Sequence, residues 1–306
     1  MKYLQNGFLI LFVLAFAKAY SQQPLDVLMD GKKKPMSWTN TSWKQYDVSK
    51  MPKQIELVVY KVVNADSIVP LDAMAYVFNS DGNLEKSLEA NQYLQTVKMF
   101  KYENGKLVSE SDGSKFGITE QKYKRNEKGD FTEVPRYRLY YQNDKLSSVT
   151  DPAYPDRTDS YKHKGSAYTV YSKHDKRSYL YVSDQLVAVQ NDDNDYATAY
   201  HIPFTNHEVF FNLKKTGKKW NDLFEMAAND PDAFNKFVDA QMSESEKEYP
   251  FSKTITNQMD DWTAIIYKPK HDQTVRRYYL RKIIYADGST SGNTTLDKKT
   301  LQSIEK

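Results

Sequence analysis

Three groups of side chains in this 306-residue sequence have the composition of a reactive or ligand-holding site. The first is the histidines, His163, His174, His201, His207 and His271. No two stand one helical turn apart, as in an H-E-x-x-H zinc site, and the chain has no cysteine to join them. His163 and His174 could meet across a hairpin, but two histidines alone make a poor metal site, so all five read as ordinary surface residues. The second group is Asn191-Asp192-Asp193-Asn194-Asp195, a run of oxygen ligands. A calcium loop also needs a sharp-turn glycine and a distal bidentate acid, and the glycine is missing; a solvated turn fits better. The third is Asp260-Asp261 beside Trp262, the carboxylate pair to consider first for glycoside hydrolysis. Adjacent residues on a strand face opposite ways, which argues against a shared site. No G-x-S-x-G elbow, phosphate loop or dinucleotide fingerprint occurs. The sequence therefore predicts no catalytic residue, no metal and no cofactor.

The tyrosines remain. Fifteen of the 24 fall between Tyr76 and Tyr200, and Tyr137 with Tyr141, and Tyr179 with Tyr181, are spaced evenly enough to share a strand face. These four are the candidate binding residues. Tyrosine rings bring large contact area at low entropic cost, which suits a glycan or an extended peptide. Tyrosine also has high strand propensity, so a half-exposed sheet accounts for many of them without a ligand.

The elements that must carry these rings are announced by turns. Asn79-Ser80-Asp81-Gly82, Glu103-Asn104-Gly105-Lys106, Glu127-Lys128-Gly129-Asp130, Gln142-Asn143-Asp144-Lys145 and Val182-Ser183-Asp184-Gln185 recur with tyrosine or phenylalanine before and leucine or phenylalanine after in most copies; His163-Lys164-Gly165 is a degenerate copy. Asn-Gly and Asp-Gly accept positive φ and close short hairpins. Asp112-Gly113, Pro155-Asp156, His174-Asp175 and Asp192-Asp193 supply the return turns. Residues 72–202 thus read as a long antiparallel β-meander of repeated hairpins. Tyr137, Leu139 and Tyr141 alternate with Arg136, Arg138 and Tyr140; Arg177, Tyr179 and Tyr181 alternate with Ser178, Leu180 and Val182. No face stays aliphatic across both segments, so an open, twisted sheet fits better than a closed sandwich.

After His201-Ile202-Pro203 the period changes. Trp220, Leu223, Phe224 and Ala227, then Phe234, Phe237, Val238 and Met242, lie on helical faces, with Asp230-Pro231 as cap and first residue. Two short amphipathic helices near 218–228 and 231–243 follow, with stripes that seal an end of the sheet. The fold class is mainly β with a small helical insert. Its segments are 1–21, 22–71 (polar, then a strand over 54–63), 72–202 (hairpins), 203–248 (helical) and 249–306 (strands and a polar tail).

The hairpin units resemble tyrosine-aspartate (RHS-type) repeats and related MORN-like hairpin repeats. The best stretch runs from Tyr141-Gln142-Asn143-Asp144-Lys145-Leu146 through Asp151-Pro152 to Arg157-Thr158, Tyr161, His163 and Gly165; Tyr102 to Ser109 is a second. The resemblance covers roughly residues 76–200, with irregular spacing and with aspartate replacing the turn glycine at Asp144 and Asp184. It implies an extended β scaffold for display, binding or encapsulation and carries no catalytic residues. The overall style is similar to exported proteins of Bacteroidota-type bacteria.

Residues 1–21 have the layout of a secretory signal: Lys2, ten apolar residues from Phe8 to Ala17, then small residues at Ala17, Ala19 and Ser21. Ten residues rise roughly 15 Å as a helix, about half a bilayer core. Cleavage is expected after Ser21, with Ala19 the runner-up. It would remove two lysines and no acid, taking the formal charge from +3 to +1. Later apolar stretches are strand-sized, so no membrane span is expected after processing. A balance of 43 basic and 40 acidic residues gives no reason to expect nucleic acid. The sequence thus points to a periplasmic, cell-surface or extracellular β-repeat protein that binds a protein or glycan without catalysis. A secreted hydrolase with a carboxylate site near the helix–sheet junction, or a periplasmic carrier of an apolar ligand, are the alternatives.

Overall fold

The computed structural model describes residues 42–305 except 47, 65, 94, 114–118, 184, 194, 203–208, 244–251 and 269–274. The expected leader, the turn residue Asp184, Asn194 of the acidic run, His207 and His271 lie outside the described residues. The chain is mainly β and forms two open antiparallel sheets of ten strands each. In the first sheet β1 (Pro52–Asn64), β2 (Ser67–Phe78), β3 (Leu84–Asn91), β4 (Gln95–Glu103), β5 (Lys106–Asp112) and β6 (Thr119–Lys122) follow in sequence order. The second continues with β7 (Lys124–Arg125), β8 (Phe131–Val134), β9 (Tyr137–Gln142), β10 (Lys145–Asp151) and β11 (Tyr154–Lys164). It ends with β12 (Ala167–Ser172), β13 (Arg177–Val182), β14 (Gln185–Asn191), β15 (Tyr196–Ala199) and β16 (Val209–Asn212). Helices α1 (Trp220–Asn229) and α2 (Pro231–Gln241) come next. The chain then returns to the first sheet: β17 (Ser252–Thr256), β18 (Trp262–Tyr267) and β19 (Arg276–Tyr285) lie beside β1, with β20 (Thr290–Gly292) on β19.

The meander is therefore shared between two units. One holds residues 42–121 and 252–305, the other 122–251. Each sheet grows by hairpins because the turn residues accept the left-handed backbone. Asn104 and Gly105 have φ of 51° and 73°, and Asn143 and Asp144 have 52° and 59°, so aspartate replaces glycine without losing the turn. One return turn sits earlier than Pro155-Asp156. The chain reverses at Pro152-Ala153, where buried Asp151 accepts from the Ala153 N–H at 3.0 Å, and residues 155–157 become the excess of a bulge.

In the first unit one end of the β1/β19 face carries Ile55, Ile283 and Tyr285, closed by Trp43, Tyr46 and Val48 from the preceding segment. Gly82 admits this segment. Its φ is +77°, and a Cβ there would sit 2.2 Å from Trp43 Cδ1. The opposite face carries Val62, Ala264, Ile266, Tyr278 and Leu280, and Leu301 packs on it. Leu301 belongs to a third helix, α3 (Lys298–Glu305), where the sequence suggested only a polar tail. Asp297 caps it, accepting from the Thr300 N–H at 2.7 Å, and Glu305 binds Arg276 and the Tyr278 hydroxyl.

In the second unit α1 and α2 cover one face of β12–β16. Leu223, Phe224, Ala227, Phe234 and Val238 interlock with Leu180, Val182, Ala188, Ala197, Ala199 and Val209. The helices start where expected: the Asp222 carboxylate accepts from the Lys219 N–H, and Asp230 accepts from the Ala233 N–H with Pro231 at the first position. They seal a face at one end of the sheet; strands β9 and β10 are left outside their cover, and β11 meets the edge of α1 through Lys162 and Lys164. Phe234 is fully buried. Phe234→Ala is expected to cost about 3–5 kcal/mol and Asp230→Ala about 1 kcal/mol, read as lower urea midpoints at an unchanged slope.

Candidate functional site

Strand register decides which tyrosines share a surface. Leu139 lies opposite Val149, Val149 opposite Asp159, Asp159 opposite Ser172, and Ser172 opposite Arg177. By alternation Tyr137 and Tyr141 of β9 are on the same face as Tyr179 and Tyr181 of β13, four strand steps or about 19 Å away. The four candidates thus share a face, and all are half-buried. Between them run Leu139, Val149 and Val170, each at most 4% exposed, and a chain of rings. Tyr168 stacks on Tyr181 at 5.0 Å and 12°, His163 lies 5.4 Å from Tyr168, and Tyr161 stacks 6.4 Å from His163. Burial raises the phenol pKa of Tyr141, Tyr161 and Tyr179. These rings pack mainly against neighbouring strands.

The opposite face of β9–β12 is different. One cross-strand row reads Tyr140, Ser148, Ser160, Tyr171. Tyr140 is 49% and Tyr171 39% exposed, among the most exposed large rings of the unit. Between them the two inner strands present only hydroxyls: Ser148 and Ser160 in this row, and Thr150 and Thr158 in the next, with their Oγ1 atoms 3.3 Å apart. The result is a trough with aromatic walls and a hydroxyl floor. The Tyr171 hydroxyl is hydrogen-bonded to Asp192, which raises its pKa. Arg138 flanks the trough on the Tyr140 side. Lys162 flanks it on the helix side, donating to Asn221 Oδ1 at 3.0 Å with its Nζ 5.4 Å from the Phe224 ring.

Tyr140 and Tyr171 were not among the sequence candidates, because pairs of tyrosines on one strand drew attention to the other face. The signal that marks Tyr140 is that it falls on the same side of the strand as Arg136 and Arg138, since a ring among cations belongs to the wet side. Tyr171 shares its face with Ala167, which packs in the core that the helices close, so its exposure depends on the point where that cover ends.

The other groups are committed to structure. Asp261 is 3% exposed and its two oxygens accept from the Ser49 N–H, the Ser49 hydroxyl and the Tyr285 hydroxyl at 2.6, 3.1 and 2.5 Å. Asp260 sits on the preceding turn with φ 61°, exposed, so the two carboxylates do not converge. Arg281, 2% exposed, donates to the Trp262 and Tyr46 carbonyls and stacks 3.7 Å over the Trp262 ring. His163 Nε2 pairs with the Leu146 carbonyl and the ring lies opposite Tyr168, while His174 is in the turn over 173–176. His201 pairs with Asp239 at 2.7 Å. Asp193 bonds Lys176, and Asp195 lies 3.9 Å from Lys214. Among the described residues no group of three acids or histidines converges as a metal site, and no helix is long and apolar enough to cross a membrane.

No protein-family model matches the chain, and no curated protein matches its sequence.

Burial, with Asp261 as hydrogen-bond acceptor, pushes the Tyr285 phenol up to about 12. A group raised in the folded state stabilises it below its unfolded pKa, about 10, and that contribution is lost as pH climbs through the folded value. The wild-type urea midpoint should therefore fall more between pH 9 and pH 11.5 than that of Tyr285→Phe.

Proposed function

We propose that this chain is an exported, non-enzymatic scaffold of tyrosine-aspartate-type hairpins that binds a glycan or protein partner at the cell surface or in the periplasm. The observation that supports this best is the trough on the second sheet. Two large rings stand exposed in one register row, separated by residues too small and too polar to contribute a core. Scattered apolar exposure is ordinary, but paired rings framing a hydroxyl floor form a surface with contact area and hydrogen-bonding capacity together. Of the two acids considered for a hydrolase, Asp261 is held in its buried network and Asp260 stands exposed on the turn before it, so the pair does not converge. An apolar cargo finds less support, since the aliphatic face of β12–β16 is filled by Leu223, Phe224 and Phe234.

Tyr140→Ala and Tyr171→Ala should each weaken partner binding about tenfold or more with little change in stability, because both side chains are exposed. Glycan arrays and pull-downs with the exported chain provide the measurement. Binding that survives the double variant would end the assignment to this surface. Export is tested separately: N-terminal sequencing of the protein recovered from the periplasm or medium should begin at Gln22, and recovery only in the cytoplasm would refute it.

A further inference from the structure

We infer that the occupant of the Tyr140–Tyr171 trough is an acidic glycan, a uronate-bearing chain whose carboxylate pairs with Arg138 and whose hydroxyls meet the serine floor. This rests on the proposed binding role of the surface and adds the chemical class of the ligand.

The floor favours sugar over peptide. Strands β10 and β11 are hydrogen-bonded on both sides, so no backbone edge is open there for an added strand. The floor also has no apolar pocket to take a side chain, only Ser148 and Ser160, whose hydroxyls both donate and accept, as sugar hydroxyls do. The walls set the size. The backbones at Tyr140 and Tyr171 are three strand spacings apart, about 14 Å, with the Tyr171 hydroxyl bound to Asp192. That width admits one sugar chain lying between two amphipathic rings.

Charge then selects among sugars. Arg138 is exposed and lies opposite Glu133 on β8, but the Glu133 carboxylate is bound at 2.7 Å by Lys124, so this trio keeps one net positive charge beside Tyr140. Lys162, on the helix side, is hydrogen-bonded to the neutral Asn221 amide, while the nearby Glu225 is bound by Lys164. At the far wall Asp192 is bound to the Tyr171 hydroxyl and Asp193 is paired with Lys176, while exposed Lys173, two residues beyond Tyr171 and hydrogen-bonded through its backbone N–H to the Thr158 carbonyl, brings a cation to the same side. Arg138 thus offers a carboxylate its cation beside Tyr140, and the hydroxyls of the same chain lie along the serine floor toward Tyr171. A guanidinium also holds a planar carboxylate in two parallel hydrogen bonds, which an ammonium does not.

The test is calorimetric titration of the exported chain with oligogalacturonate, oligomannuronate and hyaluronan oligomers, each against its methyl-esterified form, at low and at physiological salt. The acidic forms are expected to bind at least tenfold more tightly than the esters. Arg138→Gln should remove most of that difference, Arg138→Lys should restore only part of it, and Glu133→Gln should leave it in place. Circular dichroism on each variant separates misfolding from lost recognition. Equal binding of acid and ester, unmoved by Arg138→Gln, overturns the acidic-ligand inference while leaving a glycan-binding surface. Absence of binding to every acidic and esterified chain overturns the inference outright. Tyr140-dependent capture of a protein in that case would show that the surface binds, but binds protein.

Discussion

Strand register is the constraint on which everything else in this protein depends. A slip of one residue exchanges the two faces of a strand. In β9 it would turn Leu139, which is 4% exposed, outward and bring Arg138 and Tyr140 in. The register is held at the ends of the hairpins. Asn143 and Asp144 take the left-handed backbone that closes a two-residue turn between β9 and β10, and Asp151 ties the next reversal. Arg136, itself at φ 75°, bonds Asp151 from the neighbouring turn, so successive reversals on one side of the sheet support each other. The rows of side chains, and with them the trough, are consequences of these ends.

Much of this was legible in the sequence because turn chemistry is local. An Asn-Gly or Asn-Asp pair between alternating strands needs no distant partner to declare itself, and the helix signals at Asp230-Pro231 are equally self-contained. What was not legible is where one sheet stops and the next begins. Gln121, Lys122 and Lys124 show no break in composition, and whether β18 and β19 extend the hairpin array or return beside β1 depends on pairing some 220 residues apart in the chain, such as Leu57 with Arg281. The helix α3 was missed for a different reason. Its cap and its Leu301–Ile304 spacing are helical signals, but they sit in a segment whose charge reads as a fraying tail until Glu305 is seen to reach Arg276 and Tyr278.

The tyrosines divide in the same way. Spacing along one strand correctly groups Tyr137 with Tyr141 and Tyr179 with Tyr181, but it is silent on which face is packed. Only cross-strand neighbours decide that, through Val149 and Val170 beside the half-buried set and Ser148 and Ser160 beside the exposed one. Large rings flanked by small buried aliphatics are structural cover. Large rings flanked by serines have nothing to cover.

That contrast also explains why the trough lies where it does. The aliphatic positions of this face, Leu180, Val182, Ala188, Ala197 and Ala199, are gathered in β13–β15, where α1 and α2 remove them from water. Beyond the helices the same face must remain soluble while wet on one side, and its serines, threonines and Arg138 achieve this. Two tyrosines are then the exception to an otherwise polar composition. Their exposed rings add no core packing, and strand propensity accounts for a tyrosine at either position; what sets the pair apart is that register places both in one row, at either side of a floor of hydroxyls.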